Sequence, residues 1–252
     1  KQKPKHWLGY YEGSLWSNLE SPRDFVPADL TTDQIKEINA YTHIENELID
    51  EAIGRVIDWL ESKNLMETTD IFFTTDHGEL QGDFGLLFKG PYHVDALMRL
   101  PFIWKPAGCA DVSAASIDAP VGHLDLAPTF CDIAGIQTPD YCEGQPLPLS
   151  IDDAAQQPRD SILTEWDSEH GPITMHLKSI YRADGWLMTC YGPSHLYDGS
   201  EGELYNMTED PDQTVNLWDD PERQAVKTDL REQLFESLPA PRSPALPRVA
   251  PV

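Results

Sequence analysis

In the stretch TTDHGELQGDFGLLFKGPYH, residues 74–93, Asp76 and His77 stand side by side at the end of an apolar run. A carboxylate oxygen and an imidazole nitrogen are both good ligands for a divalent cation. Gly78 lets the backbone turn away from them, and Glu79 is placed to support a ligand. Lys89 follows in a glycine-rich segment, between Phe88 and Gly90. A compact ammonium there can bind an oxyanion that the cation also holds. The same residues describe an ordinary hydrogen-bonded turn and a solvated lysine, and spacing alone leaves both readings open. His93 comes four residues after Lys89. It is a candidate for lining a substrate pocket, the alternative being a hydrogen-bonded histidine of the surface or core.

These residues need a scaffold that gathers them. Residues 70–75, DIFFTT, read as a short strand rich in aromatic and β-branched residues, and LPFIWKP, residues 100–106, as a second. Ile35, Ile38, Tyr41, Ile44, Leu48, Ile53, Val56, Ile57 and Leu60 recur at helical spacing, which predicts a long amphipathic helix over 33–63 behind Thr31-Thr32-Asp33 cap chemistry. A second helix is predicted over 124–135, with Asp125 as cap, Pro128 in the first turn and Gly135 as stop. Helices alternating with apolar strands predict an α/β layered domain with a mostly parallel sheet. Asp76 and His77 would then emerge at the carboxyl edge of that sheet, where ligand groups collect.

The character changes after about residue 160. SILTEW, ITMHLKSIYRA, GWLMTCY and GELYNM read as short strands of a small antiparallel sheet, with a tight turn at RADGW. A last helix opens at Asp219-Asp220-Pro221-Glu222 and carries Val226, Leu230, Leu234 and Leu238 on one face. Residues 1–30 read as a long surface loop whose Trp7, Tyr10, Tyr11 and Trp16 either pack on the core or shape a substrate mouth. Three regions result: 1–160 as part of an α/β catalytic domain, 161–238 as a small α+β subdomain, and 239–252 as a proline-rich tail.

The chain carries 43 Asp and Glu against 18 Lys and Arg, a formal charge of −25. Such a surface repels nucleic-acid phosphates and anionic membranes, so neither is an expected partner. An anionic substrate would need a local positive centre such as Lys89. No apolar run is long enough to span a bilayer. Cys109, Cys131, Cys142 and Cys190 show no metal-binding spacing and read first as free thiols, one disulfide being the alternative. With no signal pattern visible, a cytoplasmic location is favoured. The chain begins at Lys1 in what reads as the middle of a protein, so a fragment is expected.

Three ordered motifs carry a resemblance. FFTTDHGELQGDFGLLFKGPYHVDALMRLPFIW (72–104), VGHLDLAPTFCDIAGI (121–136) and ELYNMTEDPDQTVNL (203–217) resemble the sulfatase family of the alkaline-phosphatase superfamily. The resemblance implies the C-terminal half of such an enzyme: part of a layered α/β/α sheet domain plus a small C-terminal antiparallel sheet with a helix. It implies Asp76 and His77 as ligands of one divalent cation, Ca²⁺ as first expectation and Mn²⁺ as alternative. It implies Lys89 and His93 as catalytic and substrate-binding residues acting on a small-molecule sulfate ester. The family's nucleophile is a formylglycine made from the Cys or Ser of a C/S-x-P-x-R motif. None of the four cysteines has that context, so it is expected in an N-terminal part not represented here.

The resemblance also places His6, in KPKHW, where the family has a substrate-binding histidine, although the flanking proline pattern differs. It reads Asp95 and Arg99 as a structural ion pair and His123 as structural. The sequon Asn206-Met207-Thr208 reads as coincidence. The activity implied is metal-dependent sulfuric ester hydrolysis. Hydrolysis of a phosphonate or phosphate ester within the same superfamily, or a non-catalytic binding protein, are the alternatives. Oligomeric state is not expressed in the sequence.

Overall fold

The longest helix is fixed by its first four residues. In this computed structural model, which describes residues 3–15, 25–109, 114–168 and 174–239, Thr31 and Gln34 form a reciprocal capping box ahead of a 31-residue helix. Two N-terminal elements come first in chain order: α1 (Lys5–Tyr11) and a 3₁₀ turn (Pro27–Asp29). The long helix is α2 (Thr32–Ser62), and it leads to β1 (Ile71–Thr74). After a coiled loop follow α3 (Asp95–Met98) and β2 (Phe102–Lys105). A 3₁₀ turn (His123–Asp125) runs into α4 (Leu126–Ile133), and Gly135 at φ 64° ends that helix.

The expectation of a loop over the first thirty residues is corrected by α1. Its Trp7 and Tyr10, one turn apart, are buried against Tyr92 and Leu80 in the main core, and packing overrides the poor helix propensity of KHWLGYY. Trp16 lies outside the described residues, and so does the tail from residue 240 onward. The expected mostly parallel sheet is corrected as well. β1 and β2 pair antiparallel, Ile71 opposite Lys105 and Thr74 opposite Phe102, and no parallel pair occurs among the described residues. On one face of this pair Phe72 stacks on Trp104 and meets Phe130 of α4 edge-on. Phe73 and Ile103 on the other face are exposed.

Beyond α5 (Ile151–Gln156) the chain forms a four-stranded antiparallel sheet in sequence order: β3 (Ser161–Ser168), β4 (Met175–Arg182), β5 (Trp186–Tyr191) and β6 (Gly202–Asn206). The β4–β5 turn is RADGW, with Gly185 at φ 90°, a value that an L-residue adopts only with strain. One face of the sheet (Ile180, Met188, Leu204) packs on Leu230 and Leu234 of α6 (Gln224–Ser237). The opposite face, through Met175, Leu177 and Tyr191, joins α1 and the 80–97 segment in a second core. The small sheet is therefore layered between its own helix and the loop that carries Lys89.

Only Leu60 of the long helix α2 is buried. Ile44, Leu48, Ile49, Val56 and Trp59 are all more than half exposed. At about 100° per residue its apolar positions cover an arc of roughly 220°, wider than a helix resting on a single surface needs. No helix among the described residues is long and apolar enough to cross a membrane.

Candidate metal and anion site

Strand β1 ends at Thr74, and the next residues turn sharply at Gly78. The Gly78 N–H donates to Leu97 O (3.0 Å), docking the turn on α3, and a Cβ on Gly78 would stand 1.8 Å from the Ala96 carbonyl oxygen. Only glycine permits that approach. The turn holds the two preceding side chains together. His77 Nε2 lies 3.5 Å from Asp76 Oδ2, and the His77 backbone N–H donates to Asp76 Oδ1 (3.0 Å).

His77 Nδ1 faces the Gly78 carbonyl at 2.8 Å. A carbonyl only accepts, so Nδ1 is the donor there, and a neutral ring presents its Nε2 lone pair beside the carboxylate. The Asp76 side chain is 84% exposed. In its protonated form the neighbouring imidazole, above all, holds its carboxyl below the usual carboxylate range. Two convergent donors, one oxygen and one nitrogen, fit a share of a divalent-cation site, and no group of three or more His, Cys, Asp or Glu completes one among the described residues. Glu79 is exposed and makes no hydrogen bond to either ligand candidate among the described residues.

Lys89 lies on a loop tied back to this turn. The Leu80 N–H donates to Phe88 O (3.0 Å) and the Gly82 N–H to Leu86 O (2.8 Å). Between those ties Gln81, Gly82, Phe84, Gly85 and Phe88 all have positive φ. So much left-handed backbone in eight residues is costly and persists only where surroundings enforce it. Lys89 itself is exposed, whereas Gly90, Pro91, Tyr92 and His93 after it are buried.

His93 is 4% exposed and does not stand at the solvent edge with Asp76 and His77. Its Nδ1 lies 2.6 Å from Ser179 Oγ on β4, which in turn lies 2.7 Å from Thr189 Oγ1 on β5. Burial pushes the imidazole pKa down to about 4. His6 is fully buried within a ring of aromatics, stacked on Tyr92 and edge-on to Tyr10, Tyr191 and Tyr197. Its Nε2 donates to Pro91 O (3.2 Å), and its Nδ1 accepts from the Tyr197 hydroxyl (2.5 Å). Burial pushes it down to about 3.

Asp95 and Arg99 form an exposed pair at 3.9 Å across one helical turn, of the kind that contributes little. His123 is exposed. Asn206 Oδ1 accepts from the Thr208 and Glu209 amides and shapes the turn after β6. All four cysteines are free, and burial raises the Cys190 thiol to about 11. Asp125 has a role that its place before a helix did not reveal. Fully buried, it accepts from the Gly122 and Gln145 amides and from both terminal nitrogens of Arg159. Ser179, Thr189 and Tyr197 were not legible as site residues, because their partners are more than eighty residues away in sequence or on a neighbouring strand.

The family model described as N-sulphoglucosamine sulphohydrolase, C-terminal, matches residues 82–239, and the sulfatase model matches residues 17–136. The chain belongs to the sulfatase family. It is 28% identical over 79% of its length to the uncharacterized sulfatase YidJ of Escherichia coli, and 25% identical over 87% to a Δ4,5-hexuronate-2-O-sulfatase of Bacteroides thetaiotaomicron. It spans 38% and 47% of those two proteins. The fold matches that of a phosphonate monoester hydrolase of Agrobacterium radiobacter with a TM-score of 0.69, at 21% identity, over 84% of this chain and 43% of that one. The architecture is that of the alkaline-phosphatase-like hydrolases.

Proposed function

We propose that this chain supplies the metal- and sulfate-binding half of a sulfuric ester hydrolase that acts on a small-molecule sulfate ester. The observation that carries the reading is the Asp76–His77 turn, with its two donor atoms 3.5 Å apart, tied through Leu80 and Phe88 to the loop of Lys89. Asp76 and His77 would hold a divalent cation, Ca²⁺ or Mn²⁺. When bound, that cation supplies polarisation of the sulfate oxygens and lowers the pKa of the attacking hydroxyl. Lys89, a point charge on an otherwise acidic chain, neutralises charge on the transferred group as the ester bond breaks. His93, buried four residues after Lys89 and hydrogen-bonded to Ser179, is assigned to the same proposed site.

In this reading the nucleophile, a formylglycine, is supplied by additional polypeptide, because none of the four cysteines has a C/S-x-P-x-R context. The wide apolar arc of α2 and the exposed Phe73 and Ile103 favour such a completion, because faces of this kind are normally covered. The division at about residue 160 between catalytic α/β part and C-terminal subdomain belongs to the same reading.

A phosphonate or phosphate ester hydrolase remains the second reading, favoured by the fold shared with a phosphonate monoester hydrolase. The test compares turnover of an aryl sulfate and an aryl phosphonate by the complete enzyme with Ca²⁺ or Mn²⁺ present. Faster sulfate turnover is expected. Faster phosphonate turnover transfers the proposal to the second reading, and no turnover of either favours a binding protein. The 252-residue chain alone is expected to turn over neither substrate.

A further inference from the structure

The residues just after Lys89 are held from two sides. His6, on α1, donates through Nε2 to the Pro91 carbonyl and stacks its ring on Tyr92, with ring centroids 5.3 Å apart. His93 reaches in the other direction, from the loop to Ser179 and through it to Thr189 on the C-terminal sheet. Both contacts are buried, and both imidazoles remain neutral at ordinary pH because burial disfavours their charged forms. Neutral rings have fixed donor and acceptor ends. At His6 the carbonyl of Pro91 requires the proton on Nε2, which leaves Nδ1 to accept from the Tyr197 hydroxyl.

The Leu80–Phe88 hydrogen bond holds the residues just before Lys89. Lys89 is thus the exposed residue between two pinned stretches, and among the described residues no ion pair or hydrogen bond of its own fixes its direction. Its orientation is set by what grips its neighbours.

We propose that His6 and His93 are positioning residues for Lys89: two buried imidazoles that clamp residues 90–93 between α1 and the C-terminal sheet and so fix where the Lys89 ammonium is presented beside the Asp76–His77 turn. This rests on the reading of Lys89 as the residue that holds the transferred group. The C-terminal sheet gains a functional task by it. Ser179 and Thr189, remote in sequence from any site motif, become the far anchor of a catalytic loop.

A double-mutant cycle tests this in the complete enzyme with an aryl sulfate. His93→Ala should lower kcat about tenfold or more with a smaller change in KM, since a displacement of about 1 Å in a catalytic group can cost up to about 10²-fold. His93→Asn, whose side-chain amide can take up the bond to Ser179, should recover most of that loss. In a Lys89→Ala background, His93→Ala should lower kcat by less than about twofold, because the group it positions is gone. His6→Gln keeps an amide donor for Pro91 and should outperform His6→Asn.

If His93→Ala folds poorly, Ser179→Ala removes the same anchor with less disturbance and should give the same non-additivity. Hydrogen exchange at the Leu80 amide, faster in the anchor variants, reads the loosened loop directly. The inference is overturned if the anchor variants lower kcat by the same factor with and without Lys89, the pattern of a merely structural role. Full turnover in Lys89→Ala alone overturns the reading of Lys89, and this inference with it. Loss in Lys89→Ala combined with additivity overturns only the positioning.

Discussion

Acidification should unfold this protein well above the pH at which its carboxylates protonate, and His6 and His93 are the reason. An unfolded histidine titrates near 6.5; in the fold His6 is pushed down to about 3 and His93 to about 4. Between those values and 6.5 the unfolded chain binds a proton at each position and the native chain does not, so stability rises with pH and is lost as pH falls. Each such group contributes a slope of up to about 1.4 kcal/mol per pH unit. From pH 6.5 to 5 the two together cost about 3 kcal/mol, against a total stability of about 5–15 kcal/mol for a typical domain.

The window is favourable. Asp76, Asp184, Asp198 and Asp210 are held below their usual range and lose their stabilising effect only in stronger acid. Asp83 and Asp95, raised mainly by burial, oppose the histidines as pH approaches the carboxylate range. Lys3, also near His6, adds to the penalty for charging that ring. Urea unfolding of the chain at pH 7.5, 6.5, 5.75 and 5 measures the slope, and the same series on His93→Asn and on His6→Gln/His93→Asn removes one and then both titrating rings. The slope should fall by about half with each step. Equal slopes in the parent and the double variant would refute the assignment of two buried neutral imidazoles.

Gly78→Ala should destabilise by about 3 kcal/mol or more, because the new Cβ meets the Ala96 carbonyl at 1.8 Å and the turn must leave α3; chemical denaturation reads it. Asp125→Ala removes the buried acceptor shared by the half-buried Arg159 guanidinium and by the Gly122 and Gln145 amides, and should cost about 1–3 kcal/mol by the same measurement.

Much of the fold was legible because its signals are local. The Thr31–Gln34 capping box and the apolar recurrence from Ile35 to Leu60 bound α2 to within a residue or two. Period-two apolar residues and the Gly185 turn gave β4 and β5 their place. Strand direction was not legible: IFFT and FIWK carry no mark of whether they run parallel or antiparallel, and twenty-seven residues between them permit either. Helix α1 was hidden because its sequence is a weak helix former, stabilised by Trp7 and Tyr10 entering a core made by distant segments.

At the site, Asp76 and His77 were visible as neighbours at a strand end, and the turn that joins their donor atoms follows from Gly78. The surroundings of His93 and His6 were not visible. Ser179 lies 86 residues from His93, and Tyr197 lies 191 residues from His6. No local pattern encodes a hydrogen bond across such separations.

The most direct test of the half-site is to separate metal from turnover in the complete enzyme. Bound Ca²⁺ or Mn²⁺ and kcat on an aryl sulfate are measured for the parent, Asp76→Ala, His77→Ala and Lys89→Ala. The account predicts that Asp76→Ala and His77→Ala lose both metal and turnover. It predicts that Lys89→Ala keeps its metal and loses on the order of 10²-fold in kcat. Parent-like metal content in Asp76→Ala and His77→Ala, or parent-like turnover in Lys89→Ala, would contradict it.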